Sequence, residues 1–299
     1  MITNYKKIDV IYRFMSVKGV GFVQTNRLII STRQFDSIDY IESEIKKTIG
    51  ESQFSEFING DSALDSLKRK FDVKFLSLYE DSYPENLKRA LKINTPPVLS
   101  YIGNLELLEK KKVAFSGSRK VSEKGINITQ EITKLLVEKD ISIVSGYAKG
   151  VDFEAHRMAL KNGGTTIIVL PEGINSFSIK KELDEEWDWN RVLVISEFKP
   201  NEKWMASRAM QRNNTIIGLS DVVVVVEAGE TGGSLDAGLK TLEFKKHLFV
   251  PEYGIIPESA LGNSLLLRKG AFPIKMSRET LKPNIAKLFE FLESKNQLF

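Results

Sequence analysis

The sequence predicts an α/β protein, a mostly parallel sheet with helices on both faces, and three observations predict it. Short apolar runs recur at 113–115, 141–144 (ISIV), 166–170 (TIIVL), 192–195 (VLVI), 222–226 (VVVVV) and 248–250 (LFV). Helical patterns separate them, as at 126–139, where Ile128, Ile132, Leu135 and Leu136 share a stripe. Short strands alternating with helices argue a parallel sheet covered on both sides. Five consecutive valines would aggregate if exposed, so 222–226 is expected to be a central strand.

Taken in order, residues 1–72 read as a small helical domain, with Ile8, Ile11, Tyr12 and Phe14 and then amphipathic stretches around Ile41, Ile45, Phe54 and Phe57. Its Gly19-Val20-Gly21 turn resembles that of a helix-hairpin unit, which either offers backbone amides to a phosphate or only connects two helices. Residues 73–102 give a short strand, a Tyr-Pro turn, a short helix and an extended segment that Pro96 and Pro97 favour. The sheet domain is assigned to 73–275, and 276–299 to one amphipathic helix, too short for a further winged-helix domain.

Composition narrows the chemistry. The chain of 299 residues is 42% hydrophobic and can bury a sizeable core. It has no cysteine, which removes disulfides, thiolate metal sites and cysteine nucleophiles and suits a reducing interior. Two histidines without paired carboxylates argue against zinc. No run approaches a membrane span and MITNYKKIDV lacks a signal-peptide core, so a cytoplasmic protein with no membrane association is expected. A net charge of +4 fits nucleic-acid binding without requiring it, because the charges are scattered.

In an open α/β sheet, ligands sit beyond the carboxyl ends of the strands. Small and cationic residues gather there: Gly117-Ser118-Arg119-Lys120, then SGYAKGVDFEAH at 145–156, then EAGETGGSLDAG at 227–238. Glycines such as Gly117, Gly146, Gly150 and Gly233 admit close backbone approach. Helix starts offer amides and a positive dipole end. Ser118, Ser145, Thr231 and Ser234 add hydroxyls, Arg119 a two-point fork, and Lys120 and Lys149 mobile charges. Together these describe an anion site, with a phosphate expected on the first helix's N-terminus. Neither a P-loop nor a dinucleotide fingerprint occurs.

Other residues keep two readings. Asp152 caps a helix or holds Lys149, and His156 is a base or a structural histidine. Glu227 binds a ribose hydroxyl, pairs with an arginine or caps. Arg212, with Arg208, Asn213 and Asn214, meets phosphates or forms surface ion pairs. Trp187 and Trp189 lie among acids that repel phosphate, which favours packing.

The stretches VAFSGSRKVSEKG, VSGYAKGVDFEAHRMALKNGGTTIIVL, SEF, RNNTIIGLSDVVVVVEAGETGGSLDAG and LGNSLLLRKGA occur in the order seen in the DNA-processing protein A family (DprA, also called Smf). The resemblance covers roughly 73–275. It implies an extended Rossmann fold that binds single-stranded DNA without catalysis, forms a homodimer and delivers the strand to a RecA-type recombinase, chiefly in natural transformation. By position it implies Arg119 beside Gly117 and Ser118 as the phosphate grip, then Gly146, Lys149, Gly150 and Asp152, then Arg212 and Asn213. No catalytic residue, cofactor or metal is expected. The strand at 248–250 with its neighbouring helix is the expected dimer surface. The chain departs from the family in having Lys149 and Asn214 where arginines are usual, no Tyr-Pro element after the third sheet strand, and Pro251-Glu252 in place of proline-glycine. The rival reading, a Rossmann protein that binds or cleaves nucleotides, would give Glu227 and Asp152 to a ribose and Glu172 to the chemistry.

Overall fold

A computed structural model describes residues 4–34, 37–68, 70–78, 80–277 and 282–294. The chain forms two compact units: Met1–Ile102 with Pro171–Phe177 and Ile195–Met205, and Gly103–Leu170 with Ser178–Val194 and Ala206–Phe299. Residues 73–102, which the sequence reading placed with the sheet domain, thus cluster with the N-terminal helices.

In the first unit, α1 (Asn4–Phe14), α2 (Phe22–Thr32) and α3 (Ile38–Ile58) enclose a core of Val10, Phe14, Leu28, Ile41, Ile45 and Phe57. The turn before α2 closes on itself. The Gly21 amide donates to Gln24 Oε1 at 3.1 Å, and Gln24 Nε2 donates to the Gly19 carbonyl at 3.2 Å. The amide of Gly21 is therefore engaged by the protein's own side chain, which favours the connector reading. Next come β1 (Lys74–Ser77), α4 (Glu85–Leu91) after Pro84, and β2 (Val98–Gly103), antiparallel to β1 with Phe75 opposite Ser100.

The second unit runs β3 (Lys112–Ser116), α5 (Glu123–Val137), β4 (Ser142–Ser145), α6 (Val151–Lys161), β5 (Thr166–Leu170) and β6 (Val192–Ser196), whose last two residues group with the first unit. It continues through α7 (Ala206–Leu219), β7 (Val222–Val225), α8 (Gly233–Glu243), β8 (His247–Pro251), α9 (Asn263–Arg268), β9 (Phe272–Met276), β10 (Pro283–Asn284) and α10 (Ala286–Ser294). The strand order is β6-β5-β4-β3-β7-β8-β9-β10. The ladders β5-β4, β4-β3, β3-β7, β7-β8 and β8-β9 are parallel, and β9-β10 is antiparallel.

The valine run is central, as its composition required, between β3 and β8. Its alternate residues face opposite ways. Val222, Val224 and Val226 join Phe115, Ile128, Ile132, Val151, Ala155 and Leu288 in one cluster, so α5, α6 and α10 cover that face. Helix α7 packs on β3, β4 and β5, and α8 on β7 and β8, without entering that cluster. Burying both faces explains why these strands read as continuous apolar runs.

Two expectations are corrected. The stretch 248–250 is the interior strand β8, with Leu248, Phe249 and Val250 each at most 1% exposed, and it offers no surface to a second copy. The C-terminal stretch is not one helix. It begins with the edge hairpin β9-β10, and α10 follows, while 278–281 and 295–299 lie outside the described residues. Pro283 in β10 breaks the helical pattern that was extended backwards from the apolar residues of α10.

Candidate nucleic-acid interface

The chain leaves β3 outward through β4 and β5 to β6, then returns to β7 on the other side of β3. The β3/β7 junction is the topological switch point, where α/β proteins of this kind seat a ligand on the helix that follows the first strand. Here that position is filled from within. Helix α5 begins at Glu123, two residues beyond the strand-end turn, and Ser122 Oγ caps it by accepting the Gly125 amide at 3.1 Å. The Glu227 carboxylate, fully buried at the end of β7, accepts the Ser122 amide at 2.9 Å and the Ser122 hydroxyl. It also accepts Tyr253 Oη at 3.1 Å and Ser259 Oγ at 2.6 Å. A Cβ on Gly125 would lie 2.4 Å from Glu227 Oε1. An internal carboxylate thus already complements the dipole of α5. The expected phosphate on the N-terminus of the first helix is corrected accordingly, and of the readings of Glu227 the capping one fits.

The strand-end turn leans the other way, toward α6. A Cβ on Gly117 would meet Val151 Cγ2 at 2.4 Å. Gly150 has φ +82° and a would-be Cβ 2.2 Å from the Ser118 carbonyl, so only glycine lets these two loops touch. The Val151 amide donates to the Ser118 carbonyl at 3.4 Å. Ser118 Oγ accepts the Lys120 amide at 3.0 Å, which tightens the turn and leaves Arg119 and Lys120 exposed at its tip. Lys149 is exposed on the adjoining loop. Ser145, expected as a further hydroxyl donor, instead donates to the Phe115 carbonyl at 2.7 Å inside the sheet.

Contacts extend this pair of loops to α7 and α8. Arg212 is 5% exposed, and its Nη1 donates to the Gly146 carbonyl at 2.7 Å and to the Val169 carbonyl, tying the ends of β4 and β5. The missing side chain of Gly146 makes the room, since a Cβ there would stand 2.3 Å from Arg212 Nη1. Asn213 Nδ2 donates to the Gly233 carbonyl at 3.4 Å, in the first turn of α8. That helix starts after Gly232, φ +104°, with no side-chain cap, and Thr231, Gly232 and Gly233 are exposed with Ser234 half-buried. The predicted residues Gly117, Ser118, Arg119, Lys120, Gly146, Lys149, Gly150, Arg212, Asn213, Thr231, Gly233 and Ser234 therefore lie along one row of touching segments. Glu227 stands apart from it on the α5 side.

Asp152 lies beneath the row. Burial raises its pKa above the usual carboxylate value, and Arg212 foremost, then Arg119 among the cations, opposes that rise. A buried carboxylate among cations neutralises charge inside while Arg119 stays outside. His156 is fully buried, with Nδ1 2.6 Å from Thr166 Oγ1, which itself donates to the Ile143 carbonyl at 3.1 Å. Burial first, then Lys180 and Arg212, lowers its pKa to about 3, so it is neutral and structural.

Lys180 escaped sequence reading. Its Nζ donates to the Tyr147 carbonyl at 2.7 Å and sits 4.1 Å from the Tyr147 ring centroid and 4.6 Å from that of Phe153. Tyr147 has φ +68°, uncommon for a side-chain-bearing residue. Lys180 comes from a segment without helix or strand periodicity, so no pattern pointed to it. Among the described residues no group of three or more His, Cys, Asp or Glu could hold a metal ion, and no helix is long and apolar enough to cross a membrane.

The fold and the row of loops define a Rossmann-type protein with an open cationic strand-end surface rather than a closed nucleotide crevice. Residues 74–283 match the family model of DNA recombination-mediator protein A. The chain is 35% identical over 207 residues to DNA processing protein DprA of Streptococcus pneumoniae, covering 69% of this chain and 72% of that one. It is 30% identical over 286 residues to Protein Smf of Synechocystis, covering 89% and 69%. Among solved structures, that of DNA processing protein A from Streptococcus pneumoniae superposes with a TM-score of 0.75 at 31% identity, covering 91% of this chain and 95% of that chain. DNA processing protein A from Helicobacter pylori, described for its single-stranded DNA binding mode, gives 0.61 at 27% identity, covering 77% and 99%. The chain belongs to the DNA recombination-mediator protein A family.

Proposed function

We propose that this protein binds single-stranded DNA through the row of loops, acts as a homodimer and loads a RecA-type recombinase on the bound strand, in transformation or a related DNA-processing event. The observation that carries the reading is the glycine-packed loop pair after β3 and β4, which lifts Arg119, Lys120 and Lys149 into solvent over a surface whose interior charge Asp152 balances. An open row of cations suits a phosphate backbone that runs across it. The nucleotide-binding rival loses its ribose ligand, because Glu227 accepts four hydrogen bonds from the protein itself. The test is retardation of labelled oligo(dT) across a salt series, with sedimentation of the same samples. Salt-weakened binding by a species about twice 33.8 kDa is expected. No retardation at low salt would overturn the DNA reading, and a 33.8 kDa species alone at micromolar concentration would overturn the dimer.

A further inference from the structure

Of the three tryptophans, two are accounted for by packing. Trp187 and Trp189 meet edge to face at 5.2 Å, half-buried, in a segment with Asp184, Glu185, Glu186 and Asp188 that repels phosphate. Trp204 differs on both counts. It is 49% exposed, Met205 beside it is 50% exposed, and the whole run from Lys203 to Ser207 faces solvent.

This exposure is not that of a loose loop. The segment just before it is held by the Gly173 amide on the Glu202 carbonyl at 2.8 Å and the Asn175 amide on the Pro200 carbonyl at 3.1 Å. Asn175 Nδ2 adds a bond to Asn201 Oδ1 at 2.7 Å. Lys199 pairs with Glu202 at 3.5 Å, so Lys203 is left as the net charge next to the indole. A flat apolar ring of this size forfeits a large burial while it stands in water. A base of a single strand matches it: a flat π-face for the ring and, one linkage away, a phosphate for Lys203. Met205 alone separates Trp204 from Ala206, where α7 begins, and α7 carries Asn213 of the site row.

We infer that Trp204 is a stacking platform for a nucleobase of the bound strand, an inference that rests on the single-stranded DNA reading above. Stacking tolerates any base, so it adds affinity without sequence preference.

The test uses the full chain, Trp204→Ala and Trp204→Phe, on oligo(dT) and on an equally long oligonucleotide of abasic sites. Trp204→Ala should weaken oligo(dT) binding about tenfold to a hundredfold, and Trp204→Phe should recover most of the loss. On the abasic probe all three proteins should bind alike, which also shows that the variants fold. If the parent binds oligo(dT) and Trp204→Ala binds it equally well, the stacking inference is overturned and the DNA reading stands. If Trp204→Ala loses affinity equally for both probes, the ring serves the protein's own structure, and the inference is again overturned. A change of sedimentation on Trp204→Ala with unchanged oligo(dT) affinity would assign the ring to a second copy instead. Failure of the parent to bind either probe would remove the DNA reading itself.

Discussion

Arg119 and Arg212 both lie on the site row, and burial separates what they do. Arg119 is exposed at the tip of its turn, where its guanidinium can meet a phosphate at little cost to the fold. Arg212 is buried and links two strand ends above Asp152. Arg119→Ala should therefore weaken oligo(dT) binding about tenfold to a hundredfold with an unchanged melting temperature. Arg119→Lys should recover only part of that, since an ammonium lacks the fork. Arg212→Ala should instead lower stability by about 3–5 kcal/mol, because it strands Asp152 and two carbonyls. Equal affinity for parent and Arg119→Ala at matched salt would remove Arg119 from the phosphate contacts. His156 gives a prediction in pH. Its pKa is about 3 folded against 6.5 as the ordinary value. The unfolded chain thus binds a proton that the folded one refuses, and stability is complete above about pH 6.5 and falls as pH drops below it. At about pH 5 the loss from this residue amounts to about 2 kcal/mol. Urea midpoints measured at about pH 7.5 and pH 5 should converge by that amount in His156→Gln, whose side chain does not titrate. An unchanged pH dependence would show that other groups set it.

At the scale of elements, the decisive feature is which helix start is left open. Helix α5 is closed by Ser122 and Glu227, and its neighbours Tyr253 and Ser259 are drawn in by the same carboxylate. Helix α8 begins at Gly233 with an exposed, uncapped turn beside Asn213. Glu227→Ala should unpair two hydroxyls, an amide and a capping serine at once, and cost about 3 kcal/mol or more of stability. Oligo(dT) affinity of the folded fraction should move less than about twofold, because Glu227 lies off the row and the effect stays near the scatter of independent sites. A selective loss of binding with stability intact would return Glu227 to the ligand.

Over the whole molecule, the count of cations overstates what DNA can meet. Of 43 lysines and arginines, several are structural. Lys246 Nζ donates to the carbonyls of Ile217 at 2.7 Å and Gly218 at 2.9 Å, near the end of α7. Arg191 Nη1 donates to the Leu160 carbonyl at 2.9 Å, closing α6, and Lys112 is 3% exposed. These groups neutralise helix ends and cannot track a strand. The exposed row supplies Arg119, Lys120 and Lys149. Three phosphates at a log-log slope of −0.7 each predict about −2 for oligo(dT) against salt. A slope near zero in the retardation series would exclude backbone recognition. Weak preference among homopolymers should accompany it, since phosphate contacts carry no base code.

The sequence by itself determined the sheet. Runs such as TIIVL and VVVVV can only be strands covered on both faces, and β5 and β7 follow them to within a residue. It also determined the small and cationic turns after the strands, because glycine at φ +82° in Gly150 or a Gly117 packed on Val151 leaves a legible residue type. It located Arg119, Lys149 and Arg212 through an ordered set of motifs. Tertiary structure alone decided which of these groups face outward. Local pattern does not record that Glu227 reaches across 105 residues to cap Ser122, or that Arg212 turns inward to the ends of β4 and β5. Nor does it place 248–250 inside the sheet or bring Lys180 over Tyr147. An apolar run states that it will be buried but not by what, and a cation has the same side chain whether it meets a carbonyl or a phosphate. Only the strand order and the path of the loops between strands supply the partner.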